Sequence, residues 1–286
     1  MHRHELTDQE WELLTPLIPR AGTGRPRVDD RRILNGMVFK IRTGTTWRDL
    51  PERYGPWKTV YTRFRRYALR GVFTRVLQQL QTRADAAGNI DWLVQIDSTI
   101  VRAHQHAAAT GRTAAQPQQE ERDDHALGRS RGGLTTKIHL ACDGRGRPLA
   151  VLLSPGQRND SPCARPLLER IRVPRTGHGR PRCRPDHLIA DRAYSSRGFR
   201  AYLHRRGIAH TIPERSDQKG HRRRRGSVGG RPPGFNQEIY RRRNTVERCF
   251  NLLKNFRGIA TRYDKTATSY EAAVCLASCL LWARSL

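Results

Sequence analysis

Residues 1–83 carry apolar side chains at helical spacing, with a start signal ahead of each predicted helix. Thr7 opens a capping box, Asp29 is placed to cap a second helix, and Pro56 precedes a third. The third helix is predicted over residues 57–69, with apolar residues on one side and basic residues on the other. This pattern predicts a small all-α region in which a helix, a turn and a basic helix follow one another.

After a run of small residues, 84–88, the pattern changes to short apolar segments separated by turn residues. We predict a linker at that run and a second, α/β domain over residues 88–286. The predicted strands of this domain cover residues 93–101, 136–141, 149–153, 188–191 and 208–212. Its predicted helices cover residues 161–170, 195–206 and the region from 236 onward. Segments 105–133 and 216–235 are rich in small and basic residues, and we predict that both are flexible.

The chain is strongly basic: 54 Lys and Arg stand against 26 Asp and Glu, a formal net charge of +28. Such an excess favours a polyanionic partner, and nucleic acid is the first candidate. GC-rich coding is an alternative source of arginine, but it does not explain why the acidic residues did not increase in step. For the tract 216–235 two interpretations stay open, a disordered segment and a loop that contacts phosphates.

Other features narrow the class of protein. The apolar run 272–283 is interrupted by Ser278 and is too short to span a membrane. No apolar segment follows the N-terminus, so a signal peptide is not indicated. The six cysteines include no C-x2-C pair, which argues against a zinc ribbon and for free thiols in a reducing cytoplasm. We expect a cytoplasmic protein with neither a membrane partner nor a small-molecule substrate.

The order of helix, turn and basic helix is that of a helix-turn-helix DNA-binding unit. A plain three-helix bundle with a basic exterior is the alternative, and the pattern alone separates the two only weakly. We favour DNA binding because the net charge agrees with the pattern. The predicted contacts are Lys58, Arg63 and Arg66, which the third helix would turn mostly outward.

Three acidic residues that are far apart in sequence are candidates for a common functional site. Asp97 interrupts an apolar strand, and a buried carboxylate is costly unless it is paired or bound to a cation. Asp191 ends a second apolar strand, where the functional groups of α/β sheets gather. Glu247 lies on a late predicted helix. Two strand aspartates and a helical glutamate suit a phosphoryl-transfer site that holds two Mg²⁺ ions about 3.5–4 Å apart.

The spacing Y-x2-R-x3-E-x6-K places Tyr240, Arg243, Glu247 and Lys254 on one face of a predicted helix, inside an arc of about 60°. Arg243 and Lys254 suit phosphate oxygens, and the Tyr240 hydroxyl can donate a hydrogen bond. A solvated helix face with an ion pair between Arg243 and Glu247 explains the same spacing. Spacing alone favours that simpler interpretation, whereas the two strand aspartates and the net charge favour a phosphodiester site.

Taken with these motifs, the chain resembles the DDE-type transposases of bacterial insertion sequences, in the insertion-sequence-five-like superfamily with the Y-x2-R-x3-E-x6-K signature. The resemblance covers nearly the whole chain. Its motifs are LTDQEWELLTPLIP (6–19), IDSTIVRAHQH (96–106), GGLTTKIHLACDGRGRPL (132–149), PGQRNDSP (155–162), LIADRAYSSRGFRAYL (188–203), TIPER (211–215) and YRRRNTVERCFNLLKNFRGIATRYDK (240–265). Residues 107–130 are less familiar, and we interpret them as a variable insertion.

The resemblance implies a ribonuclease-H-like catalytic domain, with a mixed sheet flanked by helices, behind a small all-α helix-turn-helix domain. The implied metal-binding and catalytic residues are Asp97, Asp191 and Glu247, for two Mg²⁺ ions or Mn²⁺ in their place. Tyr240 and Arg243 would contact the backbone of the transposon end, and Lys254 would contact a phosphate near the cleavage site.

The implied reaction is hydrolytic nicking at the ends of the element, followed by in-line attack of the freed 3′-OH on target DNA. Its partners would be double-stranded DNA, as ends and as target, and a second copy of the chain in a homodimer at the bacterial nucleoid. Two alternatives stay open: a catalytically silent, sequence-specific DNA-binding protein derived from a transposase, and a basic RNA-binding protein. Neither alternative explains an aspartate within an apolar strand.

Overall fold

The computed structural model describes residues 4–19, 28–108 and 125–286. Residues 20–27 and residues 109–124, which form the middle of segment 105–133, lie outside these ranges. The helices of the described residues are α1 (Asp8–Leu14), α2 (Asp30–Thr43), α3 (Trp57–Leu69), α4 (Val72–Ala86), α5 (Gln105–Ala108), α6 (Ser161–Glu169), α7 (Arg197–Arg205), α8 (Ser216–Arg224), α9 (Gln237–Arg241), α10 (Asn244–Lys254), α11 (Arg257–Ala260) and α12 (Ala267–Ala283). The strands are β1 (Leu93–Ala103), β2 (Gly128–Ser130), β3 (Gly133–Cys142), β4 (Pro148–Pro155), β5 (His187–Ala190), β6 (Ala209–Thr211) and β7 (Thr261–Arg262).

Before β1 the described chain holds helices and no strand, and the helices begin where the sequence signals predict them. Thr7 forms the capping box with Glu10, and the Asp29 side chain accepts a hydrogen bond from the first turn of α2. α3 begins directly after Pro56. α2 ends at Gly44, whose φ of 74° is a left-handed conformation that favours glycine.

Two details of this helical part correct the sequence prediction. α4 continues to Ala86 and buries Ala84 completely, so most of the predicted linker at 84–88 is helix. It continues because it packs along α12, which the local sequence does not reveal. Arg63, predicted to face outward from α3, is buried and pairs with Asp30 at 2.6 Å. The acidic partner at the start of α2 compensates the charge that burial would otherwise penalise.

The strands of the described residues form one mixed sheet in the order β2-β3-β1-β5-β6, with β4 paired to β3 and β7 paired to β1. Pairing is antiparallel among β1 to β4 and parallel for β5, β6 and β7. This sheet, with helices packed against it, confirms the predicted α/β class. Ile96 of β1 is in register with Ala190 of parallel β5. The residues that follow them, Asp97 and Asp191, are therefore brought side by side.

Helix α12 joins the N-terminal helices to the sheet. Nearly all of its residues are buried, and it packs against α3, α4 and β4. Trp282 is fully buried and donates its indole N–H to the carbonyl of Pro148 at 2.6 Å. One continuous apolar core results, to which the helices before β1 and the sheet both contribute. Neither α12 nor any other helix in the described ranges is long and apolar enough to cross a bilayer.

Regular structure also occurs in the two segments predicted to be flexible. In segment 216–235 the chain forms α8 and then a 3-10 turn over Gly226–Gly229, so an irregular loop is the wrong description there. Gln218 anchors α8 by exchanging two hydrogen bonds with Ser195, at 2.8 and 2.7 Å. In segment 105–133 the described residues include α5 and β2, and β2 extends the sheet at β3. Tertiary contacts that composition does not show account for both differences.

Candidate active site

One face of β1 carries three polar side chains that meet α10. Successive side chains of a strand alternate, so Gln95, Asp97 and Thr99 share a face. Gln95 Oε1 accepts a hydrogen bond from a backbone N–H of α10 at 3.2 Å. Asp97 Oδ2 accepts one from Arg243 Nη2 at 2.9 Å, and Thr99 Oγ1 accepts one from Lys254 Nζ at 2.7 Å. These three hydrogen bonds set the position of α10 along the strand.

The guanidinium of Arg243 lies among the three predicted carboxylates. Its Nη2 is 2.9 Å from Asp97 Oδ2 and 3.9 Å from Asp191 Oδ2, and its Nη1 is 3.0 Å from Glu247 Oε1. The exposed fraction of the side chain rises from 18% at Asp97 through 34% at Asp191 to 49% at Glu247. The structure thus gathers the three acids around one cation, in a site closed at β1 and open at Glu247.

The region from residue 236 onward is two helices rather than the single helix predicted. α9 and α10 are separated by Arg242 and Arg243, and the Arg242 side chain binds Asp91 at 2.5 Å, outside the helix. Tyr240 therefore belongs to α9, while Lys254 ends α10. The prediction that the signature residues share one face of a single helix is wrong, because they are divided between two helices. They remain on one side of the sheet because the turn between the helices keeps helical backbone angles at both arginines.

Burial shifts the pKa values of ionisable groups at this site. It raises the pKa of Asp97 from its ordinary value of 3.8, although the Ser98 amide and the Arg243 charge act in the opposite direction. Burial likewise raises the pKa of Tyr240, so the phenol keeps its proton and remains a hydrogen-bond donor. It lowers the pKa of Lys254. Since the charged form of Asp97 is disfavoured, this carboxylate gains from any cation placed beside it.

Hard divalent cations prefer carboxylate oxygens, and the site supplies Asp97, Asp191 and Glu247 at one point of the sheet. Among the described residues, however, no three His, Cys, Asp or Glu side chains lie close enough together to hold a metal ion. Instead the three carboxylates share Arg243. In charge and ligand type these residues fit Mg²⁺, and the positive charge between them is supplied by the arginine.

The predicted DNA contacts of the helical region lie on α3, away from this group of acids. Lys58 and Arg66 are exposed there, whereas Arg63 points into the protein. Lys58 Nζ lies 5.8 Å from the ring centre of the neighbouring Trp57. Of the three predicted contacts, the structure therefore leaves Lys58 and Arg66 accessible to a ligand.

Comparison with known proteins decides the family. A family profile described as "Transposase DDE domain" matches residues 89–282, which contain Asp97, Asp191 and Glu247. The chain belongs to the DDE transposases. A second profile, described as "Putative transposase of IS4/5 family", matches residues 6–77 of this transposase, from the residue before the capping box into α4. The resemblance inferred from the sequence motifs is confirmed.

Curated relatives of the transposase carry consistent names. A protein of Brucella ovis, "Putative transposase for insertion sequence element IS6501", is 34% identical over 53% of this chain and 100% of its own length. A protein of Burkholderia cepacia, "Putative transposase for insertion sequence element IS402", is 33% identical over 51% of this chain and 62% of its own. "Uncharacterized protein y4sN" of Sinorhizobium fredii is 41% identical over 37% of this chain and 83% of its own. No solved structure matches the transposase.

Sequence reasoning missed several residues that build the transposase site. Gln95 and Thr99 were not singled out, although their spacing of two from Asp97 on a strand already places them on its face. Asp160 also contributes here: it stands at the N-cap position of α6, but its side chain makes no capping hydrogen bond. It pairs with Lys137 at 2.9 Å and lines the same open cleft as Asp191. That cleft, of about 1240 Å³, extends from Asp191 along α6 and α7 to the start of α8.

Proposed function

We propose that this transposase binds the ends of an insertion sequence and catalyses metal-dependent cleavage and transfer of DNA strands at Asp97, Asp191 and Glu247. The observation that carries the proposal is the convergence of these three carboxylates around Arg243, on the adjacent strands β1 and β5 and on α10. Three carboxylates on neighbouring elements, increasingly exposed from Asp97 to Glu247, concentrate negative charge in the open part of this site. This charge fits a site for cations that act on phosphate.

The side chains around the acids have distinct tasks in this proposal. Lys254, held at Thr99, and Arg243 neutralise the oxygens of the bound phosphodiester, while the protonated Tyr240 donates a hydrogen bond to the backbone of the end. Asp97 is fixed by the Ser98 amide at 2.8 Å and so presents its second oxygen outward. The protein positions DNA and neutralises charge, and neither reaction step requires a covalent bond to it.

The three carboxylates would hold two Mg²⁺ ions, with Mn²⁺ as an alternative. When bound, such ions supply activation of the attacking oxygen and stabilisation of the leaving oxygen. For the carboxylates to take up ions, Arg243 has to turn from the acids toward the phosphate. Both arrangements keep positive charge next to Asp97, whose pKa is raised by burial.

DNA recognition in this proposal uses α3 as the basic helix of a helix-turn-helix unit, with Lys58 and Arg66 as contacts. A ribonuclease-H-like fold for residues 88–286 and a separate helical domain over 1–83 remain part of the proposal, as does a homodimer that bridges two ends at the nucleoid. Because α12 packs against α3 and α4, deletion of the helices would expose its apolar surface. Lys58→Ala with Arg66→Ala is therefore the sharper test of end binding.

The decisive experiment is strand cleavage of a labelled duplex that carries the element's own end, with Mg²⁺ or with EDTA. Wild type and Glu247→Gln are compared, and Glu238→Gln on the exposed start of α9 is the matched control. We expect nicking at the end that needs Mg²⁺, persists in the control and is lost in Glu247→Gln. Specific end binding without nicking under any divalent ion would favour the alternative, a catalytically silent DNA-binding protein derived from a transposase.

A further inference from the structure

A basic groove lies between α7 and α8 and includes His210 of β6, whereas α10 packs against β1 and β3, so groove and α10 belong to opposite sides of β5 in the strand order. The groove has a volume of about 1230 Å³. Three histidines and one acid, Glu214, are among its described lining residues. Its arginines are Arg197, Arg200, Arg222, Arg224, Arg225 and Arg231. Glu214 forms its ion pair with Arg222, and none of the other five arginines forms an ion pair within the described residues, although Glu214 also lies near enough to Arg200 to act on its charge.

Among the described residues, the guanidinium of Arg200 is hydrogen-bonded only to neutral groups. Its Nη2 donates to Ser195 Oγ at 3.1 Å and to the Ile212 carbonyl at 2.8 Å, both neutral acceptors. Its Nη1 is buried without a hydrogen-bond partner in the described structure. A buried donor left unmatched is costly, and an anionic oxygen in the groove would satisfy it. The other groove arginines need no rearrangement, because Arg224, Arg225 and Arg231 are exposed and form no ion pair within the described residues.

The groove adjoins the cleft at Asp191 at the start of α7. Ser196, the N-cap of α7, lines both spaces, and Asp191 lines the cleft only five residues earlier in the chain. The Gln218–Ser195 hydrogen bonds fix α8 to the same turn. A strand whose phosphate lies at Asp191 can therefore continue over the start of α7 into the groove.

We propose that the groove between α7 and α8 binds the backbone of the DNA that flanks the element, beyond the cleavage point. This inference rests on the proposed function, in which Tyr240, Arg243 and Lys254 hold the transposon end on the α10 side. DNA that is continuous through the cleavage point must leave on the other side, where the groove lies. The groove thus contacts the part of the substrate that is released after cutting.

The test compares two labelled duplexes, one that stops at the last base pair of the element and one prolonged by one helical turn of flanking DNA. Binding is measured by fluorescence anisotropy in EDTA at several salt concentrations. The variant replaces Arg224, Arg225 and Arg231 by Gln. The control replaces Arg172, Arg175 and Arg180 by Gln, three exposed arginines of the loop before β5, at the strand end opposite Asp191.

Wild type and control are expected to bind the prolonged duplex more tightly. In the groove variant, the affinity gained from the flanking DNA should be about tenfold smaller than in wild type. Its affinity for the shorter duplex should equal that of wild type. Its salt slope on the prolonged duplex should be less steep by about 0.9 for each phosphate that the variant no longer neutralises. A variant that keeps the full gain would overturn the inference, as would equal weakening on both duplexes or equal weakening in the control.

A groove variant that still binds the prolonged duplex more tightly, but fails to capture target DNA, would also overturn the inference. The groove would then hold target DNA rather than flanking DNA. Failure of the proposed function gives a different result. In that case even wild type would not distinguish the element's end from a scrambled duplex.

Discussion

The two flanks of Asp191 use arginine in opposite ways. On the α10 flank, Arg243 is bonded to carboxylates and Arg242 to Asp91, so in this structure each cation is paired within the protein. On the α8 flank, Arg224 and Arg225 have no such partner within the described chain. The difference shows that net charge alone does not locate a binding surface. Paired arginines build the site, and unpaired ones are left to attract a polyanion.

The flanks also differ in how they are attached. α10 is joined to β1 through buried polar bonds and apolar packing, whereas the described attachment of α8 consists mainly of the Gln218 hydrogen bonds and the Glu214–Arg222 pair. α8 has no buried residue. Changes on the α10 flank should therefore alter the free energy of unfolding, and changes on the α8 flank should leave it nearly constant.

The largest effect is expected from acid, through His139 on β3, the strand paired with β1 beside Asp97. Burial lowers the pKa of His139 from 6.5 to about 4. At a pH between those two pKa values, His139 is protonated in the unfolded chain but neutral in the folded protein. The free energy of unfolding therefore falls as pH decreases. The fall should be about 3 kcal/mol. It is measured by urea unfolding at pH 7 and pH 4.

The His139→Gln variant should lose this part of the acid sensitivity. His178→Gln, in an exposed loop, is the control and should behave like wild type. An unchanged pH dependence in His139→Gln would show that other groups cause acid unfolding.

Arg243→Met should produce the next largest effect. In EDTA the free energy of unfolding should fall by about 2 kcal/mol, because Asp97 loses its partner. The loss is smaller than for a fully buried pair, since the Arg243 side chain is 25% exposed. The same variant should bind Mn²⁺ more tightly than wild type, as shown by titration calorimetry without DNA. Weaker Mn²⁺ binding would mean that Arg243 supports the ion site instead of competing for it.

Thr99→Val should lower the free energy of unfolding by about 1 kcal/mol, because Lys254 Nζ loses the hydroxyl to which it donates a hydrogen bond at 2.7 Å. Thr99→Ser keeps the hydroxyl and is the matched control. Thermal unfolding of the three proteins measures the difference. Equal destabilisation by both variants would contradict the hydrogen bond as the cause, because Thr99→Ser keeps the hydroxyl.

The smallest effect is expected on the other flank. Arg225→Met should change the free energy of unfolding by less than about 0.5 kcal/mol, as for exposed side chains without partners. Urea unfolding beside Arg243→Met gives the direct comparison of the two flanks. A loss as large as that of Arg243→Met would show that α8 depends on its arginines for folding.

Much of the fold was predictable because local signals decide it. The helix starts at Thr7 and Asp29 follow from side-chain capping, and β1 and β3 follow from apolar runs bounded by turns. The extension of α4 to Ala86 and the ordering of α8 were not predictable. Both depend on partners distant in sequence, α12 for the first and the turn after β5 for the second.

In the candidate site, too, some features follow from the local sequence and others depend on partners distant in sequence. The acids could be selected because Asp97 breaks an apolar strand and Asp191 ends one, features visible in a few neighbouring residues. The use of Arg243 as their common partner could not be foreseen, because it depends on the break before α10 and on the register of that helix against β1. The burial of Arg63 was equally hidden, since its partner Asp30 lies on another helix.

The packing of α12 has a consequence for synthesis on the ribosome. The helices before β1 are made before the sheet, yet their main packing partner in the second half of the described chain, α12, is made after it. Contacts between such distant segments form late in folding. A copy of the gene that is interrupted before the codons of α12 would thus yield helices whose apolar side has no packing partner. Such an interruption should therefore abolish the whole product, rather than release a DNA-binding fragment that competes with intact copies.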